Sequence, residues 1–472
     1  MSVGPWESPE AATVDADLRS IDQARRAAES AHQAQQLFRS FDPARVDQIV
    51  AAMARAVEVE SARLGRLAAD ETGYGNAEDK RVKNLFNSLG VGEWLAGVKT
   101  LGVLWHDPVT RVMAIGEPMG VIAALIPVTN PTSTVIFKVL SAVKAGNAIV
   151  CAPHPRAVRS GVETTEVMRA AASELGAPDG LIQCLSEVTQ EGTGELMRHR
   201  RTSLVLATGG SAMVRTAYSS GKPTLAVGPG NVPVYVHRSR QAQLAEVADQ
   251  ILTSKAFDYG TACVAEQAVV VDRAIADQLR AEVRSAGGYF CSASEADRLG
   301  AVLFESNGAI RPDAVGKSAG RLAELAGFDV PPRTRVLLSV ETEVGRQRPL
   351  SAEKLDPVLA WYEVRDAEEG YEVCERVLRF GGVGHTLGVH ADDPEIVSTF
   401  ARLPANRILV NQPSLIAGMG YSADIDPSFM LGTGTGSGSI VSDNVTALHL
   451  INIKRVAYES RPWRSIYDVY GA

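Results

Sequence analysis

RVMAIGEPMGVIAALIP, residues 111–127, passes from an alternating stretch into an unbroken apolar run. That change suits an exposed strand leading directly into one buried on both faces. Downstream, residues 133–145 have helical spacing, AIVCAP (148–153) is an apolar strand, and 157–175 is a second helix. LIQCL (181–185) then reads as a strand, GTGELMRH (192–199) as a helix and SLVLA (203–207) as a strand. Strand-helix alternation of this kind specifies an α/β parallel sheet with helices on both faces, an architecture that holds dinucleotides. A second alternating block opens at PVYV (233–236), continues through a helix over 241–257 and AVVV (268–271), and runs to about Leu409. The lobe boundary is placed near Val236.

Upstream, apolar and small residues recur at helical spacing over 15–38, and a second helical pattern follows Pro43 through Ala69. The first helix is expected to pack on its own domain, an encapsulation tag being the alternative. At the far end, HLINIKRVAYE (449–459) alternates where little of its own domain remains to pair with, so it reads as an edge strand completing an oligomer's sheet.

A chain of 472 residues exceeds one compact core, which argues for two large lobes. The net charge of -8 offers no basic footprint for nucleic acid or an anionic membrane surface. No apolar run approaches the roughly 20 residues needed to span a bilayer, and the acidic N-terminal stretch does not resemble a secretion signal. A cytoplasmic protein is expected, with a microcompartment lumen left open. The five cysteines are odd in number and lack metal-binding spacing, so neither a disulfide framework nor a metal centre is expected.

One cysteine has a distinctive setting. In SKAFDYGTACVAEQAVVV (254–271), Cys263 follows a glycine-containing turn and precedes a buried strand. Backbone N–H groups at such a turn favour a thiolate and can donate to an oxyanion, which makes Cys263 the nucleophile candidate. His385 lies in the glycine-rich FGGVGHT (380–386), where the ring and backbone can approach a reacting centre closely, so it is the acid-base candidate. Thr208, Gly209, Gly210 and Ser211 form a turn from a strand into a helix, a place for a phosphate, although the GxGxxG spacing is absent. Asn130, before a proline, reads on its own as a turn residue.

IPVTNPTSTVIFK (126–138), APHPRA (152–157), LATGGSAMVRTAYSSGKP (206–223), VGPGNVPV (227–234), KAFDYGTACVAEQ (255–267), EKLDPVLA (353–360), GGVGHT (381–386) and HLINIKRVA (449–457) together resemble the aldehyde dehydrogenase superfamily. The resemblance is strongest to its CoA-acylating members, including the N-terminal half of bifunctional aldehyde-alcohol dehydrogenases. It implies an aldehyde dehydrogenase-like fold, with two Rossmann-like parallel-sheet lobes and a small oligomerisation β segment. Residues 1–235 would form the cofactor lobe, with 100–116 joining an oligomerisation sheet. Residues 236–430 would form the catalytic lobe, and 431–472 would return to the first lobe and supply an oligomerisation strand.

The resemblance further implies that Cys263 is the nucleophile and that Asn130 donates its amide to the oxyanion. It places Glu353 on the nicotinamide ribose, and His154 and Pro155 along the cofactor groove with Thr208–Ser211. Hydrolytic members carry a water-activating glutamate in the stretch matching AVGPGNVPV (226–234), and this sequence has no acid there. A thioacyl enzyme lacking such a base passes its acyl group to a thiol more readily than to water. The expected reaction is therefore aldehyde, CoA and NAD to acyl-CoA and NADH, on acetaldehyde or propionaldehyde, with sulfoacetaldehyde open. NADP also stays open, because no acid follows AIVCAP and Arg156 is available to a 2′-phosphate. A hydrolytic enzyme, an acyl-phosphate reductase and an inactive scaffold are the alternatives. A homodimer or homotetramer is expected. The run LGTGTGSGSI (431–440) departs from the acylating family's form, which has a bulky aromatic inside it.

Overall fold

The computed structural model describes residues 15–471. The acidic N-terminal stretch lies outside them, apart from its last residue, Asp15. Asp15 caps the helix Ala16–Phe38 by accepting the Asp17 N–H, and this helix buries a face of small residues, Ala24, Ala28 and Ala31. That face lies on the first lobe, so the helix's apolar side is used within the fold. Pro43–Thr72 opens with proline after the capping Asp42 and stops at Gly73, whose φ of 69° suits glycine.

The strands Val121–Ile126, Ala148–Pro153, Ile182–Cys184, Thr202–Thr208 and Thr224–Val227 make a five-stranded parallel sheet. Val121–Ile126 sits at its centre, between Ala148–Pro153 and Thr202–Thr208. The chain therefore runs outward in one direction, returns, and runs outward in the other. A crevice opens beyond the carboxyl ends of the strands at such a reversal, and ligands of open α/β sheets bind there.

A second, seven-stranded parallel sheet has the order Gly288–Phe290, Val336–Val340, Val358–Val364, Glu266–Asp272, Val232–Val236, Gly384–His390, Ala405–Val410. Its central strands are buried on both faces, which explains their unbroken apolar runs. Val232–Val236 is paired on both sides within this sheet, so the chain changes sheets over residues 228–231. The boundary expected near Val236 thus moves upstream by one strand. Apolar strands of the two sheets look alike in sequence, and it is the Gly228-Pro229-Gly230 break that marks the crossing.

Gly102–Asp107, Val112–Pro118 and Ile451–Ala457 form a third, antiparallel sheet whose outer strands are largely exposed. Ile451–Ala457 pairs with Val112–Pro118 of its own chain, which corrects the expectation that it lacks a local partner. Met430, Val441, Val445, Ala447 and Leu450 pack into the first lobe's core. No described helix is long and apolar enough to cross a membrane.

Candidate active site

The helix Leu244–Ala256 runs into a tight turn at Phe257–Gly260 in which Asp258 (φ 48°), Tyr259 (φ 51°) and Gly260 (φ 75°) are all left-handed. A non-glycine residue held this way costs roughly 1–2 kcal/mol. The side chain of Asp258 offsets that cost, for it is buried and accepts four hydrogen bonds. They come from Asn76 N–H (2.9 Å), Lys80 Nζ (3.0 Å), Lys83 Nζ (2.6 Å) and Thr261 Oγ1 (2.8 Å). The turn delivers Cys263 to the amino end of the strand Glu266–Asp272.

His385, second in the strand Gly384–His390, places Nε2 3.3 Å from Cys263 Sγ and Nδ1 3.0 Å from Thr386 Oγ1. Burial, together with the Arg407 cation, lowers its pKa to about 3. Burial, reinforced by the Glu353 charge, pushes the Cys263 thiol up to about 12, although Arg407, the backbone N–H and Lys83 all favour the thiolate. The resting pair is thus a neutral thiol against a neutral imidazole. The backbone N–H favours the thiolate as the sequence suggests, but removal from water outweighs it and also takes His385 below the ordinary imidazole range. The other four cysteines are also free, and Cys151, Cys291 and Cys374 are buried as small apolar groups.

Gly230 lies against both residues. A methyl group there would collide with the Cys263 carbonyl oxygen and stand 2.9 Å from His385 Cδ2. Displacing reacting groups by about 1 Å can cost on the order of a hundredfold in rate. We expect Gly230→Ala to lose at least tenfold in kcat, by about that reasoning; steady-state NADH formation checks it, and wild-type turnover would show that the contact yields freely.

Asn130 occupies the N-cap position of the helix Pro131–Lys144, yet its side chain does not cap it. Its Nδ2 donates to the Thr261 carbonyl at 3.0 Å and its Oδ1 accepts from Lys83 Nζ at 2.7 Å. One of the two amide hydrogens is left for a ligand. Glu353 is not a fully solvated acid but is half-buried, and its Oε1 accepts the Gly230 N–H at 2.9 Å. Cys263, His385, Asn130 and Glu353 are therefore gathered in one place.

Burial raises the Glu353 pKa from 4.5 to about 7, against the Gly230 N–H and the charges of Lys255 and Lys354. A carboxyl raised in the fold contributes stability at low pH that is lost as pH climbs from its ordinary value through the raised one. Glu353→Gln keeps an acceptor for Gly230 and cannot ionise, so its melting temperature relative to wild type is expected to rise between about pH 5 and 8. Thermal melts across that range check it, and a constant difference would refute it.

The residues of the first lobe lie at the carboxyl ends of its strands. Thr208 ends its strand with Oγ1 buried and unpartnered, and the helix Ser211–Tyr218 begins after Gly209 and Gly210 with no side-chain cap on its first N–H groups. His154 and Pro155 follow the strand Ala148–Pro153 and are exposed. An orphaned hydroxyl and free N–H donors at the sheet's reversal fit a nicotinamide dinucleotide. Arg156 donates to Tyr74 Oη (3.0 Å) and the Thr72 carbonyl (3.2 Å).

Sequence reasoning missed Lys80, Lys83 and Asp258, and also Arg407, whose guanidinium donates to the Gly432 carbonyl inside the glycine run. Two lysines three apart in EDKRVKN (78–84) and an aspartate at the edge of the Cys263 motif are the only local signals. Among the described residues, no cluster of three His, Cys, Asp or Glu suits a metal.

Residues 3–287 match the Aldehyde dehydrogenase family. An aldehyde-alcohol dehydrogenase of Streptococcus pneumoniae is 41% identical over 398 residues, 82% of this chain and 45% of that protein. The chain spans about half the length of the curated aldehyde-alcohol dehydrogenases it matches. An acetylating aldehyde dehydrogenase structure from Geobacillus thermoglucosidasius superposes with a TM-score of 0.93 at 45% identity, covering 95% of this chain and 99% of that one. A propionaldehyde dehydrogenase structure from Rhodopseudomonas palustris, with bound CoA and an acylated cysteine, has a TM-score of 0.83 at 25% identity, covering 92% of this chain and 97% of that one. With two parallel sheets meeting at a cysteine, a histidine and an asparagine, this chain belongs to the aldehyde dehydrogenase family.

Proposed function

We propose that this protein is a CoA-acylating aldehyde dehydrogenase in which Cys263 carries the acyl group. The observation behind the reading is Cys263 Sγ against His385 Nε2, with Asn130 held two residues away through Thr261 and no acid in residues 226–234. The Cys263 sulfur adds to the aldehyde carbonyl while its proton passes to His385 Nε2. The oxygen, gaining charge, is met by the free Asn130 Nδ2 hydrogen and the Cys263 backbone N–H. A nicotinamide cofactor, held by Thr208–Ser211, Glu353, His154 and Pro155, supplies the hydride acceptor. Cys263 then bears a thioester. His385 gives that proton up to water and then takes the proton of the CoA thiol; the CoA sulfur attacks the acyl carbon, and Cys263 leaves, its sulfur receiving the second proton back from His385. One thioester replaces another, so the reaction runs in both directions.

NAD is the favoured nucleotide, by family resemblance. Acetaldehyde or propionaldehyde is the default substrate. Hydrolysis is the second reading because Glu353, an acid near neutrality, acts through its charge on Cys263. Oligomerisation into a homodimer or homotetramer is assigned to the third sheet, whose Ile451–Ala457 edge has no strand beyond it among the described residues.

The test is NADH formation by purified protein with acetaldehyde, propionaldehyde and sulfoacetaldehyde, with and without CoA, and with NADP replacing NAD. Strict CoA dependence supports acyl transfer. Sustained carboxylic acid production without CoA would replace it by hydrolysis.

A further inference from the structure

We propose that Lys83, clamped by Asp258, is a positioning residue that sets which end of the Asn130 amide faces the reacting carbonyl and strengthens that end as a donor. Lys83 is 1% exposed and Asp258 is fully buried. The Lys83 ammonium donates to Asn130 Oδ1 (2.7 Å), Asp258 Oδ2 (2.6 Å) and Thr261 Oγ1 (3.2 Å), which uses all three of its hydrogens. An amide whose oxygen rests on an ammonium has to present its NH2 on the other side. Flipping it would set donor against donor, with both groups largely removed from water.

The same carboxylate also controls the backbone of Asn130. Lys80 Nζ donates to Asp258 Oδ2 and to the Thr129 carbonyl, each at 3.0 Å. Asp79 accepts the Asp258 N–H at 2.7 Å. Asp79, Lys80 and Lys83 all lie on the short helix Ala77–Leu85, which thereby braces the loop bearing Asn130 against the left-handed turn before Cys263. Lys83, with its ammonium 2.7 Å from Oδ1, is the charge nearest the Asn130 oxygen, while Asp258 and Asp79 balance the two lysines on the side away from it. In a water-poor site that charge draws density from the amide and makes its free N–H a better donor to a developing oxyanion. Lys83 also favours the Cys263 thiolate through its charge.

The inference rests on the aldehyde-oxidising half of the proposed function and is read before CoA enters. The NADH burst rate with aldehyde and NAD, in the absence of CoA, is measured for wild type, Lys83→Met, Asn130→Ala and the double variant. Lys83→Met is expected to slow the burst at least about tenfold, and by no more than the roughly hundredfold or greater loss expected for the Asn130 donor itself, with little change in the KM for NAD. Because Lys83 acts through Asn130, adding Lys83→Met to Asn130→Ala is expected to cost less than about threefold more. Independent, multiplying losses, or a wild-type burst from Lys83→Met, would overturn the proposal. If Lys83→Met does not fold, Lys83→Gln goes through the same cycle; it keeps a donor for Asn130 and is expected to retain more rate. A crystal structure of either variant adds a readout that needs no turnover, since an Asn130 amide left unmoved there would overturn the positioning role even if wild type proved inactive. A CoA-dependence failure in wild type, with the burst coupling intact, would count against acyl transfer alone.

Discussion

Cys263→Ala is expected to form no measurable NADH from any aldehyde, with or without CoA, and to take up no acyl group from acyl-CoA. The expected loss is at least about a thousandfold, because a nucleophile that carries a covalent intermediate has no partial substitute. No other cysteine is placed to take over: Cys151, Cys291 and Cys374 are buried among apolar groups, Cys184 packs against the first lobe's core, and burial pushes all four thiols up. His385 would face a methyl group rather than sulfur, so no proton acceptor bond is left at 3.3 Å. The fold should tolerate the change, since Cys263 is only half-buried and its strand is anchored by residues 266–272. Intact mass after incubation with propionyl-CoA reads the result directly. An adduct on the variant equal to that on wild type would remove Cys263 from the mechanism.

Asn130→Ala is expected to fold and to lose on the order of a hundredfold or more in kcat, the usual cost of one oxyanion donor. Its side chain does not cap the helix Pro131–Lys144, so the helix start does not depend on it. The change does leave Lys83 without one acceptor and the Thr261 carbonyl without a donor, which costs roughly 1–3 kcal/mol for each buried group not reached by water. A modest fall in melting temperature should therefore accompany a large fall in turnover. The loss should appear in the NADH burst as well as in steady state, because the oxyanion forms before hydride departs. Unchanged burst rates would assign Asn130 a structural role only.

The first lobe was legible because its strands and helices announce themselves over short windows: AIVCAP and SLVLA are apolar runs flanked by helical spacing, and the structure makes both of them buried strands. PVYV was read as the opening of the second block, and the pairing of Val232–Val236 in the second sheet agrees, so the boundary set near Val236 lies one strand too late. Cys263, His385 and Asn130 were reached through their motifs, and the structure gathers them. Their protonation was not legible, since burial depends on which segments cover a residue and no local pattern states it. Lys83 escaped for a related reason. Its partners Asn130 and Asp258 lie 47 and 175 positions away along the chain, farther than any periodicity extends.

The neutral pairing of Cys263 with His385 also governs what happens when no substrate is present. Peroxides and alkylating agents react with thiolates and largely spare thiols. A half-buried cysteine kept protonated is a poor target for them, whereas one activated permanently would be consumed between turnovers. Holding the proposed nucleophile as a thiol at rest would confine its chemical vulnerability to the moments when substrate rearranges the charges around the sulfur.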